Sequence, residues 1–153
     1  MIATNKFRAA LLSSLGSLAL AGCATVEEAA VQAVSTTHHA TLTGAEVVTS
    51  PGDPDGYARA QLSISNELNQ ICYDVGDIRN LAPITSLTIN RGRRGQVGPA
   101  VLRITRANEG VWKNCVGRAE WLERTLEYAP GAFYIQISTT EFPNGAIRGQ
   151  FHD

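Results

Sequence analysis

Three residue types in this chain can do chemistry, and each is sparse enough to consider one by one. The cysteines are Cys23, Cys72 and Cys115. A thiol can accept a lipid, pair into a disulfide or, as thiolate, hold a soft metal. The histidines are His38, His39 and His152; imidazole is the commonest transition-metal ligand, so these three are candidates for a weak surface metal site. Arginines gather in "NRGRRGQVGP", where Arg91, Arg93 and Arg94 are interleaved with glycines. Guanidinium forks match carboxylate and phosphate geometry, and the glycines would leave backbone N–H groups open to the same anion. "GDPDG" carries Asp53 and Asp55 but lacks the other ligands of a calcium loop at the required spacing. It reads as a turn. A Ser-His-Asp arrangement needs a histidine inside the fold as base, yet the chain has none between His39 and His152. No catalytic residue and no cofactor is expected.

The role of the cysteines depends on where the chain goes. "MIATNKFRAALLSSLGSLALAGC" joins Lys6 and Arg8 to an interrupted apolar run and then to small residues, the pattern of a secretory signal peptide over residues 1–22. The run is too short for a membrane span, which needs ~20 apolar residues. Leu20-Ala21-Gly22-Cys23 resembles the bacterial lipobox. That resemblance implies diacylglycerol on the Cys23 thiol, further acylation and stable anchoring, because two or more chains hold where one is marginal. Ala24, rather than Asp, follows the cysteine; by the same resemblance the expected location is the outer membrane of a bacterial envelope. In that oxidising compartment Cys72 and Cys115 are most simply a disulfide, worth on the order of 4 kcal/mol by loop entropy. The rival, a two-cysteine metal site, lacks a Cys-x-x-Cys spacing or a nearby histidine.

Removal of residues 1–22 leaves 131 residues, enough for one domain. Losing Lys6 and Arg8 from 13 basic residues leaves 11 against 14 acidic ones, a net charge of −3, and nothing points to nucleic acid. Residues 23–37, rich in Ala, Val and Thr, read as the lipidated cysteine and a tether. From residue 38 to 153 the pattern is short strands. In "YARAQLSIS" Ala58, Ala60, Leu62 and Ile64 alternate with Arg59, Gln61, Ser63 and Ser65, one face buried and one wet. Ile71, Tyr73 and Val75 continue the period, then Leu87 and Ile89, then Leu102 and Ile104. "FYIQISTTEFPNGAIRGQF" is two strands about a Pro143-Asn144-Gly145 turn. Only "GRAEWLERTLEYAPG" has helical spacing, with Trp121, Leu122, Leu126 and Ala129 expected to pack on the sheet. The expected fold is all-β, an antiparallel β-sandwich or flattened barrel of about seven to eight strands with one short helix.

"ATLTGAEVVTSPGDPDGYARAQLSI", "LAPITSLTINRGRRGQVGPAVL" and "EYAPGAFYIQISTTEFPNGAIRGQF" stand in the order and at roughly the spacing of the CHRD domain. That repeat is named after chordin and also occurs singly in bacterial secreted proteins. The resemblance covers about residues 39–151. It is carried most specifically by Gly92, Gly95, Gly98 and Pro99 and by the closing Phe142-Pro143-x-Gly145-x-Ile147-Arg148-Gly149-Gln150. It implies an envelope or secreted module. The family commonly carries a His-Ile-His before the glycine loop and another histidine in the penultimate strand. Here those positions are Thr88, Asn90 and Ser138, a hydroxyl, an amide and a hydroxyl that are poor zinc or copper ligands. They are expected to form a neutral hydrogen-bonded cluster in an inner, metal-free site.

The reading that follows is a non-catalytic, lipid-anchored envelope protein acting as an interaction or structural module. Its expected partners are membrane lipid through Cys23 and a protein or acidic envelope polymer; Arg91, Arg93 and Arg94 are the candidate anion-binding residues, and the other reading of their loop is a solvated turn whose charge serves solubility. Arg148 is expected to pair with a carboxylate, Glu46 or Glu141. The alternative is a metal-binding or redox-related protein using the peripheral histidines.

Overall fold

The computed structural model describes residues 35–65, 67–107, 110–117 and 120–153; Cys23 and the signal and tether segments before Ser35 lie outside them. Eight strands follow in chain order: β1 (Thr36–Thr43), β2 (Tyr57–Ser65), β3 (Gln70–Arg79), β4 (Ile84–Arg91), β5 (Ala100–Arg103), β6 (Trp112–Gly117), β7 (Phe133–Thr139) and β8 (Ile147–Gln150). They form one sheet of order β5-β4-β7-β8-β1-β2-β3-β6, and every neighbouring pair is antiparallel.

The sheet curls because only one of its faces is apolar along all its central strands. His38, Ala40 and Leu42 of β1, Ala58 to Ile64 on alternate positions of β2, and Ile71, Tyr73 and Val75 of β3 turn inward. Leu87, Ile89, Ile135, Ile137 and Ile147 complete the same core from the other side. Rolling the sheet over this face buries both halves against each other without a second sheet. Its two margins meet through Tyr73, whose hydroxyl accepts from the Thr105 N–H at 3.2 Å and donates to the Thr105 carbonyl at 3.1 Å. Tyr73 sits next to edge strand β6 and Thr105 lies just past edge strand β5. The result is a half-barrel, the curled form of the expected all-β architecture.

Cys72 and Cys115 are directly opposite each other on β3 and β6 and are joined as a disulfide across a sequence separation of 43. The bridge fastens an otherwise exposed edge strand. The free side of that edge is blunted as well, since the Cys115 N–H donates to Asn114 Oδ1 at 2.8 Å instead of waiting for another strand. Helix α1 (Glu120–Tyr128) lies over one end of the curl. Leu122 and Leu126, four apart, are buried, but Trp121 is 55 % exposed and Ala129 is also outside. The expected packing of Trp121 and Ala129 therefore fails. Helical geometry turns Trp121 about 100° away from Leu122, and the two leucines already fill the contact. No helix among the described residues is long and apolar enough to cross a membrane.

Candidate functional site

On the outer face of the sheet, β7 and β8 present Tyr134, Gln136 and Ser138 beside Arg148 and Gln150. Register fixes this: Tyr134 faces Gln150 and Gln136 faces Arg148, while Asn90 and Thr88 of β4 face Tyr134 and Gln136. The β4–β5 loop, residues 92–99, folds back over this face and turns its carbonyl groups toward it. Arg148, only 1 % exposed, donates through Nη1 to the Gln96 carbonyl at 2.8 Å and through Nη2 to the Arg93 carbonyl at 3.0 Å. Its guanidinium carbon lies 3.5 Å from the Tyr134 ring centroid. The Tyr134 hydroxyl in turn accepts from the Gly98 N–H at 3.3 Å. Gln150 Nε2 reaches the carbonyls of Gly92 (2.9 Å), Gly131 (2.9 Å) and Phe133 (2.7 Å). Three side chains of the closing hairpin thus pin the loop. Burial pulls the Arg148 guanidinium below its ordinary pKa, and the nearby Tyr134 and Glu46 offset only part of that.

The glycines of the loop serve this packing. A Cβ on Gly98 would stand 1.6 Å from the Arg91 carbonyl oxygen, so no other residue fits there. Several of the loop N–H groups, that of Gly98 included, are correspondingly engaged. Arg91 donates to Pro99 at 3.0 Å, Gly92 to Ala132 at 2.7 Å and Gln96 to Arg93 at 2.9 Å, and Arg93 donates to Gln96 Oε1 at 3.2 Å. The expected cradle of open amides is therefore not formed at Arg91 and Arg93, whose N–H groups are used internally. Arg148 is likewise not paired with a carboxylate as expected; Glu46 meets the exposed Arg94 instead, at 3.4 Å. The loop's carbonyls face the sheet, so its charged side chains face away from it.

Between the loop and residues 129–132 lies an open groove of about 450 Å³, lined by Arg93, Arg94, Ala129, Gly131, Ala132 and Gln150. Arg93 and Arg94 share it; Arg91, exposed at the end of β4, does not line it. The Arg93 side chain has no hydrogen-bond or ion-pair partner among the described residues. A groove with small residues along one wall and two guanidinium groups on the other can accept a carboxylate or phosphate while leaving room for the rest of the molecule.

Thr88, Asn90 and Ser138 occupy the outer face, not an inner site. Asn90 Nδ2 donates to Thr88 Oγ1 at 3.0 Å and to the Thr88 carbonyl at 3.2 Å. Ser138 faces Ser86, and no hydrogen bond joins it to the other two, so the cluster is a pair.

The histidines part company. His38 points into the core, 0 % exposed, with Nδ1 2.9 Å from Asp153 Oδ1 and Nε2 buried without a partner. Its neighbour His39 exchanges both backbone hydrogen bonds with His152, at 2.8 and 2.9 Å. That cross-strand pairing sets the two imidazoles on one outward face. No group of three or more His, Cys, Asp or Glu suited to a metal occurs among the described residues.

The pinning residues Tyr134, Arg148 and Gln150 escaped sequence reasoning as a unit. Strand alternation places them on one face, but their partners are loop carbonyls, which every residue has and no sequence marks. Comparison with curated proteins and with solved structures gives no match. The model of the CHRD domain matches residues 38–151, which span all the strands but the first two residues of β1, and the chain belongs to the CHRD domain family.

Proposed function

We propose that this protein is a non-catalytic module of the bacterial envelope, held to the membrane by lipid on Cys23, that binds acidic groups of an envelope polymer in the groove beside Arg93 and Arg94. The observation that carries this reading is the pinned loop. Arg148, Tyr134 and Gln150 spend the loop's backbone on internal bonds and leave two guanidinium groups at the mouth of one groove. Preformed cations bind with less ordering cost than a mobile loop would. Charge-assisted hydrogen bonds contribute about 1.5–3 kcal/mol each in protected sites, and less in an open groove.

Two measurements test the two halves of the proposal. Envelope-purified protein should carry lipid on Cys23, and Cys23→Ser should lose it and leave the membrane fraction; an unmodified Cys23 would reject the anchor. Retention on immobilised polygalacturonate should weaken with salt and with Arg93→Ala plus Arg94→Ala. Equal retention of mutant and wild type at low salt rejects the groove.

One observation favours a second reading. The His39–His152 pair offers two imidazoles on one exposed face, enough for weak capture of a transition metal, with solvent completing the shell. Metal content of the purified protein separates the readings, since only this one predicts zinc or copper lost on His39→Ala.

A further inference from the structure

Strand register gathers several features at one end of the half-barrel. Thr36, where the tether joins the sheet, faces Ile64. Ser65, the next residue along β2, faces Gln70, and Gln70 faces Gly117. Helix α1 begins three residues after Gly117, and Phe133 starts β7 opposite Arg91, the last residue of β4. The helix and the turn after it therefore run across the end from which the tether departs. Leu68, in the β2–β3 turn at that same end, is 44 % exposed.

The outward side of α1 is not an ordinary polar face. With Leu122 and Leu126 turned into the core, Trp121, Arg124 and Tyr128 stand at i, i+3 and i+7 on the opposite side. Trp121 is 55 % and Tyr128 79 % exposed, and a seven-residue step separates them by about 10.5 Å along the helix. Trp and Tyr are the residues that settle at a bilayer's headgroup level, and an arginine between them can extend to lipid phosphate while its stem stays apolar. Among the described residues the far end of the molecule lacks such a stripe; its exposed large apolar residues, Val48 and Val111, are single and aliphatic.

We infer that α1 is a bilayer-docking element, seating the tether end of the half-barrel on the membrane through Trp121, Arg124, Tyr128 and Leu68. The inference rests on the lipid anchor proposed above. Twelve residues separate Cys23 from Thr36, and a chain of that length reaches at most about 40 Å. An anchored Cys23 keeps this end close to the lipid surface while the opposite end remains free. Docking there also brings the Arg93–Arg94 groove, which borders the residues just after Tyr128, to the membrane surface, where an envelope polymer attached to that surface can enter it.

The chain's two tryptophans, Trp112 and Trp121, supply the test, because Trp112 opens β6 at one end and Trp121 lies past the strand's other end, in α1. Full-length lipidated protein is reconstituted into phosphatidylethanolamine–phosphatidylglycerol vesicles containing brominated lipid. Trp112→Phe leaves Trp121 as sole emitter, and its fluorescence should shift to the blue and fall about twofold, as expected for a side chain ~5–10 Å into the interface. Trp121→Phe leaves Trp112, whose emission should not change. Equal quenching of both, or quenching of neither in protein whose mass confirms lipid on Cys23, overturns the inference while leaving the anchor intact. Should the mass show Cys23 unmodified, the anchor fails. The same variants added to preformed vesicles then decide docking: quenching of Trp121 alone supports it, and none overturns it. Protection of Trp121 from acrylamide by a soluble polysaccharide, without lipid quenching, assigns the stripe to a glycan and overturns it as well.

Discussion

Replacing Arg148 by methionine isolates the loop-pinning interaction, because methionine keeps much of the stem volume and removes the fork. Two charge-assisted hydrogen bonds are lost, to the Gln96 and Arg93 carbonyls, together with the contact on Tyr134. Each bond contributes about 1.5–3 kcal/mol and the cation–π contact about 1. The two carbonyls lie close to the surface and can rehydrate once freed, so the low end applies, and methionine recovers part of the packing. The expected cost is about 3 kcal/mol. For a domain of this size that lowers the melting temperature by about 10–15 °C. If the loss falls mainly on the loop, the loop opens about a hundredfold more often, and limited trypsin digestion reads this directly, since Arg93 and Arg94 lie inside it. Arg148→Lys should behave nearly as badly, because an ammonium cannot span two carbonyls and stack on the ring at once. Melting within a degree or two of wild type, with cleavage after Arg93 and Arg94 unaccelerated, would show that Arg148 does not pin the loop.

Reduction of the Cys72–Cys115 bridge should lower the denaturant midpoint by an amount equivalent to about 4 kcal/mol without abolishing the β spectrum, since β3 keeps its pairing with β2; unchanged stability on reduction would contradict this. Thr88→His, Asn90→His and Ser138→His together should create zinc or copper affinity measurable by equilibrium dialysis, because all three lie on one outer face of adjacent strands. Stoichiometric metal in the parent that is lost when Thr88, Asn90 and Ser138 are each changed to Ala would contradict the reading of a neutral Thr88–Asn90 pair.

Much of the framework was legible because alternation is a local signal. "YARAQLSIS" alone separates Ala58, Ala60, Leu62 and Ile64 from their neighbours, and the sheet buries all four, although it also buries Ser63 and Ser65 of the face expected to be wet. The cysteine pairing was legible too, although compartment suggested it and only register explains it. Sequence did not choose between two packed sheets and one rolled sheet, since that depends on Tyr73 finding Thr105 across the curl. Trp121 was misplaced because helical spacing tolerates either side of Leu122 as the core side, and the sheet's fit to Leu126 decides. His38 was read as a surface metal candidate at the tether boundary, yet it opens the inward face of β1 two positions before Ala40. The candidate site was half legible. Arg93 and Arg94 were expected, but the Arg91 and Arg93 amides were assigned to a ligand when the fold uses them itself, and Arg91 was grouped with arginines whose groove it does not share.

The central claim, that an acidic group binds at Arg93 and Arg94 and not by general attraction to a basic loop, is tested most directly by comparing variants of equal charge change. Calorimetric titration of polygalacturonate into the full-length protein should show a loss of about fivefold in affinity for each of Arg93→Ala and Arg94→Ala at low salt. Arg91→Ala should stay within about twofold of wild type, because its side chain stands outside the groove. Equal losses for all three would mean that net charge alone drives binding and would contradict the account.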